Sequence, residues 1–211
     1  MNQEPGKAGQ DTKRQILETA TRLFHVNGYY ATSLEEVAAE LGVTRQAFYY
    51  YYKSKEDLLW DINSAAEAHL LRAADTILEK DLPPLERLAS LLESHALVMA
   101  EHAAEIACFY QEERSLSQER QEAVQRTRRG YTQHFIDAYQ DAMDLGLVGP
   151  VDPKLAAFLL LGACNWISKW YSPHGPYEPQ DVAETVTRMN LYGVITDAGR
   201  DVMLLPARQE A

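Results

Sequence analysis

The stretch from Ser33 to Lys55, SLEEVAAELGVTRQAFYYYYKSK, constrains this chain more than any other feature, because it fits two short helices joined by a tight turn. Leu34, Val37, Ala38 and Leu41 recur at helical spacing, so the first helix has one face to bury. Ser33 with Glu36 three residues later matches a capping box, and Gly42 stands where a helix end takes a left-handed residue. Val43 packs the turn, and Thr44 is placed to cap a second helix beginning at Arg45. Two short helices around a glycine-containing turn make a helix-turn-helix. A plain helical hairpin inside an all-α core has the same periodicity, so the second helix has to separate the two readings. Arg45, Gln46, Tyr49, Tyr50, Tyr51, Lys53 and Lys55 crowd donors and aromatic hydroxyls onto about three turns. A helix needing only solubility has no use for four consecutive tyrosines. The pattern suits insertion into a DNA major groove.

A net charge of −11 looks wrong for that role until it is divided along the chain. Residues 1–55 hold seven cations against six anions, a balance of +1, and the remaining residues carry −12. Like-charge repulsion holds the acidic part away from a duplex and leaves the contact to the basic, tyrosine-rich part. So small a positive balance gives modest non-specific affinity, which favours a dimer that adds a second half-site.

The expected organisation is all-α, with about nine helices. Residues 1–10 read as a loose arm, and a first helix runs from the N-cap Asp11 to Asn27-Gly28, burying Ile16, Leu17, Ala20, Leu23 and Phe24. The helix-turn-helix follows. Ser54 then caps a longer helix that opens with Lys55-Glu56-Asp57 and runs to about Lys80, where Leu82-Pro83-Pro84 breaks it. Further helices are expected over about 84–101, 104–114, 118–145, 152–172 and 179–197, with a weakly packed tail after Gly199. Residues 1–55 form the DNA-binding unit in this reading and 56–211 the ligand-binding and dimerisation unit. No run of eighteen apolar residues exists to span a membrane, and the polar N-terminus lacks a secretory core, so a cytoplasmic location is expected. Cys108 and Cys164 make no metal-type spacing and read as reduced core thiols.

From about Thr12 to Leu59 the chain resembles the DNA-binding domain of the tetracycline-repressor (TetR) family of bacterial regulators. The resemblance is carried by Ile16-Leu17, Ala20, Leu23-Phe24, Gly28-Tyr29, Thr32-Ser33, Val37-Ala38, Gly42-Val43-Thr44, the tyrosine run, Lys53-Ser54-Lys55-Glu56 and Leu58-Leu59. Gln46 departs from the small residue many members carry, Tyr51 from a common His, and Tyr52 from the usual Phe. The chemistry of base edges makes Arg45 the candidate for guanine, Gln46 for adenine and Ala47 for a thymine methyl. The resemblance implies that Tyr49, Tyr50, Tyr51 and Lys55 hold phosphates, with Thr44 and Thr32 helping, while Tyr52 packs inward. The implied partner is a palindromic double-stranded DNA operator.

Residues 155–171, LAAFLLLGACNWISKWY, are apolar nearly all the way round, with Gly162-Ala163-Cys164 as a seam of small residues. A helix apolar on every face must be covered on every face. We therefore expect this helix and 179–197 to form a homodimer interface that includes Phe158, Gly162, Ala163 and Met189. The resemblance implies the same, since the family dimerises through its last two long helices. Asn165-Trp166, Trp170-Tyr171-Ser172-Pro173, Gly175 and Pro179 resemble a subgroup that responds to coenzyme A thioesters and controls fatty-acid or steroid breakdown. Phe109-Tyr110, Glu112-Glu113-Arg114, Leu116 and Arg128-Arg129-Gly130-Tyr131 are similar to the same subgroup.

An acyl-CoA needs an apolar slot and cations for its phosphates. The expected slot is lined by Met99, Phe109, Tyr110, Trp166 and Trp170, and Arg126 and Arg129, three apart on one helical face, are the expected phosphate ligands. Two other readings compete. One is a multidrug sensor of the same family, taking aromatic cations on Trp166, Trp170 and Tyr110. The other is a helical adaptor that never touches DNA. No cofactor and no metal site are expected: His95 and His102 share a face near Glu101 and Glu105 but lack a further ligand at matching spacing. GxSxG, P-loop and GxGxxG patterns are missing, so no enzyme is expected.

Overall fold

The computed structural model describes residues 7–192, and every element among them is helical. The elements are α1 (Lys7–Asn27), α2 (Leu34–Glu40), α3 (Arg45–Tyr51), α4 (Lys55–Leu78), α5 (Pro84–Glu101), α6 (Ala103–Glu112), α7 (Gln118–Asp144), α8 (Pro153–Asn165), α9 (Ile167–Trp170) and α10 (Pro179–Tyr192). A single 3₁₀ turn, Glu113–Ser115, links α6 to α7. None of these helices is long and apolar enough to cross a membrane.

The local signals act as their chemistry requires. Ser33 Oγ accepts from the Glu36 N–H at 3.1 Å, and the Glu36 carboxylate accepts from the Ser33 N–H at 2.6 Å, closing the capping box. Gly42 has φ +67°, a left-handed turn that strains any side chain, and the Val43 N–H then reaches the Ala38 carbonyl. Thr44 and Ser54 cap α3 and α4 through the N–H groups of Ala47 and Asp57.

Two expected boundaries move. The first helix starts at Lys7 rather than Asp11, so residues 7–10 are helix and not arm, while residues 1–6 lie outside the described part. The expected helix over 152–172 divides at Trp166 into α8 and the four-residue α9. The ends expected beyond Tyr192, the last turns of 179–197 and the tail, lie outside the described residues.

Two cores form. The first packs α1, α2 and α3 around Ile16, Phe24, Val37 and Phe48 and continues through Leu58, Leu59 and Ile62 of α4 to Cys108 and Phe109 of α6. The cut at residue 55 is therefore proposed on role, not on packing. Arg120 of α7 reinforces the junction, with a nitrogen 2.6 Å from Asp57 and another 3.4 Å from Glu56. The second core surrounds α5, whose Leu88, Leu91, Leu92 and Met99 are packed by α4, α7, α8 and α10. Cys108 and Cys164 are free thiols inside these cores, each pushed up to about 12 by burial, as inert packing cysteines should be.

Candidate functional site

The residues expected to contact DNA lie mostly on α3. Phe48 is fully buried and Tyr52, 2 % exposed, hydrogen-bonds Asp61 at 2.9 Å, so the helix is pinned by positions four apart. That spacing turns Arg45, Gln46, Ala47 and Tyr50 outward, with Tyr49 and Tyr51 half-buried at the flanks. Arg45 is held at 3.0 Å from Glu35, and the Tyr49 hydroxyl donates to the same carboxylate at 3.0 Å. An exposed pair of this kind is screened by solvent and holds its partners only weakly. Arg45 is thus aimed but easily released to a stronger acceptor.

Two expected contact residues face elsewhere. Thr32 is 1 % exposed, and its hydroxyl donates to the Gly28 carbonyl at 3.0 Å, so it offers DNA nothing. The Lys55 ammonium donates to the carbonyls of Tyr29 at 2.7 Å, Thr32 at 2.8 Å and Tyr30 at 3.3 Å, and it lies 4.6 Å from the Tyr29 ring centre. Its charge is spent holding the α1–α2 loop. A lone Thr or Lys on a sequence motif does not reveal whether its polar end has a nearer backbone partner.

A cavity of about 180 Å³ opens between α4, α5, α6, α7 and α8. Leu70, Leu71, Phe109, Tyr110, Phe158 and Leu161 supply its apolar wall, and Glu67, His95, Thr127, Arg128, Tyr131, Thr132 and Asn165 its polar atoms. Phe109 and Tyr110 are where the sequence places them. Met99 is fully buried in the α5 core and does not reach the cavity. Trp166 and Trp170, at 64 % and 44 % exposed, lie outside it, Trp166 where α8 ends and Trp170 on α9. Arg126 also points to solvent. The cation at this site is Arg128, which pairs with Glu113 at 2.8 Å and stands 5.8 Å from the Tyr110 ring centre.

The polar wall is ordered. His95 is buried with both nitrogens engaged, Nε2 donating to Asn165 Oδ1 at 3.0 Å and Nδ1 accepting from the Tyr131 hydroxyl at 2.9 Å. Burial pulls its pKa down to about 4, so the ring is neutral. Burial pushes the Glu67 carboxyl the other way, to about 7, with Glu113 adding and Arg128 opposing. Glu67 and His95 escape a reading of the sequence for cations and aromatics. The available signal is a carboxylate on α4 that shares the helical face of Leu70 and Leu71.

A second groove adjoins the cavity and shares Arg128, Thr132 and Phe158 with it. Arg129 and Lys154 flank this groove, and among the described residues neither makes an ion pair. Arg129 is thus near the cavity mouth rather than in it, and Lys154 is the cation missing from the sequence reading.

Beyond the cavity, α8 and α10 show solvent a set of large apolar side chains: Leu155, Phe158 and Leu159 on α8 with Trp166 at its end, and Met189 and Tyr192 on α10, each more than half exposed. Gly162 and Ala163 lie exposed among them. So large a patch on a single chain marks a contact surface.

Residues 16–62 match the family model for "Bacterial regulatory proteins, tetR family", and residues 81–194 match that for "Tetracyclin repressor-like, C-terminal domain". A TetR/AcrR-family regulator from Thermobifida fusca is similar at 35 % identity and a TM-score of 0.69, covering 88 % of this chain and 100 % of that one. AibR, solved in complex with isovaleryl coenzyme A and operator DNA, is 29 % identical with a TM-score of 0.75, over 85 % of this chain and 97 % of its own. The repressor KstR2 of Mycobacterium tuberculosis is 24 % identical over 191 residues, 89 % of this chain and 96 % of that protein.

Proposed function

The chain belongs to the tetR family of bacterial regulatory proteins, which are DNA-binding regulators and not enzymes, and from that premise we propose a cytoplasmic homodimeric repressor that leaves a palindromic operator when it binds a CoA thioester with a compact acyl group. The observation that carries this is the adjacency of the largely apolar cavity to the groove flanked by Arg129 and Lys154, joined at Arg128. An acyl group fits the first, and the nucleotide phosphates suit the free cations of the second.

Size refines the acyl group. A cavity of about 180 Å³ is close to one that takes benzene, roughly 150 Å³, and matches a short acyl group better than a long chain or a sterol nucleus. The reading therefore takes a short slot in place of the long one expected from the sequence. AibR, whose own ligand is isovaleryl coenzyme A, supports the same size class. The multidrug reading loses its aromatic platform, since Trp166 and Trp170 are outside the cavity.

Arg45, Gln46 and Ala47 read base edges in this proposal, and Thr44, Tyr49, Tyr50 and Tyr51 set the register on phosphates. Coupling runs through α4, which packs with the reading head at Leu58 and Leu59 and lines the cavity at Glu67, Leu70 and Leu71. A ligand that favours one setting of α4 shifts the population of head spacings.

Calorimetric titration tests the proposal. Isovaleryl-CoA and butyryl-CoA should saturate, palmitoyl-CoA and free CoA should bind more weakly, and the Arg129→Ala/Lys154→Ala variant should lose about tenfold or more, the loss of one charge-assisted contact. Tighter binding of palmitoyl-CoA, or no loss in the variant, would overturn it.

A further inference from the structure

We propose that His69, His102 and Glu105 form a binding site for a divalent transition metal of the zinc type, bridging α4 to the corner between α5 and α6. His69 lies midway along α4, His102 terminates α5, and Glu105 sits in the first turn of α6. One ligand atom from each falls within 4.8 Å of the others. Glu105 Oε2 is 3.7 Å from His102 Nδ1 and 3.9 Å from His69 Nε2. Donors on a tetrahedral zinc with bonds of about 2.0–2.1 Å stand roughly 3.4 Å apart, so small rotamer shifts close the set.

Three observations favour an ion here over three surface groups. Glu105 Oε2 is buried with no hydrogen-bond partner, a cost that a cation removes. The imidazoles of His69 and His102 lie with centroids 3.5 Å apart, so turning the rings out of their stack brings one nitrogen of each toward the carboxylate and a shared ion. The three side chains are 26–30 % exposed along a solvent-connected cleft between α1, α4 and α6, so an ion has a way in. Two histidines and a glutamate, with one position left for water, is an established zinc donor set.

One contact must break. Arg72 lies 3.0 Å from His69 Nδ1 and donates to it, which puts the ring proton on Nε2. Metal at Nε2 moves that proton to Nδ1, and the exposed Arg72 side chain swings away. The site is separate from the effector cavity, and it ties the helix carrying the reading head to the ligand-binding part.

The test uses the full-length, tag-free protein, stripped with chelator and titrated with Zn²⁺, with Co²⁺ as the spectroscopic probe. The expected result is one Zn²⁺ per chain and the visible bands of four-coordinate cobalt. His102→Ala and Glu105→Gln should each weaken Zn²⁺ binding by more than the roughly 10–100-fold that outer-shell changes cost, and His174→Ala should change nothing. Zn²⁺ binding that survives His69→Ala/His102→Ala, or a cobalt spectrum of the six-coordinate aquo type in the unaltered protein, would overturn the site. The cobalt spectrum decides the matter even if a variant fails to fold.

Discussion

Replacing Lys55 by Met keeps the aliphatic stem and removes the ammonium, and the consequence depends on what that charge does. In the structure it donates to three backbone carbonyls, two of them at 2.7 and 2.8 Å, at the point where α1 ends and α2 begins. A charge-assisted hydrogen bond contributes about 1.5–3 kcal/mol, and half-exposed carbonyls recover part of that from water, so the net loss should be about 2–3 kcal/mol. For a chain of this size each kcal/mol moves the melting temperature by about 2–4 °C, giving a fall of roughly 4–12 °C. Thermal melting monitored by circular dichroism reads this directly. A parallel operator titration at several salt concentrations measures the competing role. A lysine that only neutralised one phosphate would leave the melting temperature alone and lower the salt slope by about 0.9. An unchanged melting temperature with that drop in slope would refute the loop-clamp argument.

Arg45→Ala should leave stability within about 0.5 kcal/mol, because Arg45 is exposed, while weakening the specific operator by about 1–3 kcal/mol and sparing non-specific duplex; equal losses on both DNAs would assign Arg45 to phosphate instead. His95 has a depressed folded pKa of about 4, so the unfolded chain takes up a proton that the folded chain refuses. Its contribution to stability is intact above about 6.5 and is lost as pH falls from there toward 4; denaturant melts of His95→Gln should lose that slope, and an unchanged pH profile would argue against a buried neutral ring. Leu159→Glu places a charge on the exposed apolar face of α8 and should convert the dimer to monomers in sedimentation experiments, whereas a persistent dimer would move the interface elsewhere.

The caps, turns and helical faces of the first third were legible because they depend on neighbours three or four residues away. Ser33 and Glu36, Gly42, Thr44 and Ser54 each act on their own helix end, and the structure shows each one doing so. The candidate effector cavity was half legible. Phe109 and Tyr110 were found as aromatic residues on a buried face, but Trp166, Trp170 and Met99 were equally aromatic or apolar and point elsewhere. Which face of α8 meets the cavity depends on how α5 and α7 pack against it, and composition carries no record of that.

The sequence by itself therefore determined the helical architecture, the helix-turn-helix and the family, since those rest on local periodicity, capping chemistry and a dense linear motif. The tertiary structure alone decided that Lys55 and Thr32 face inward, that Arg128 rather than Arg126 lines the cavity with Lys154 on the groove beside it, and that His69 meets His102 and Glu105. Those outcomes turn on contacts between residues tens of positions apart, where the polar end of a side chain goes to whichever partner the packing of other helices brings nearest.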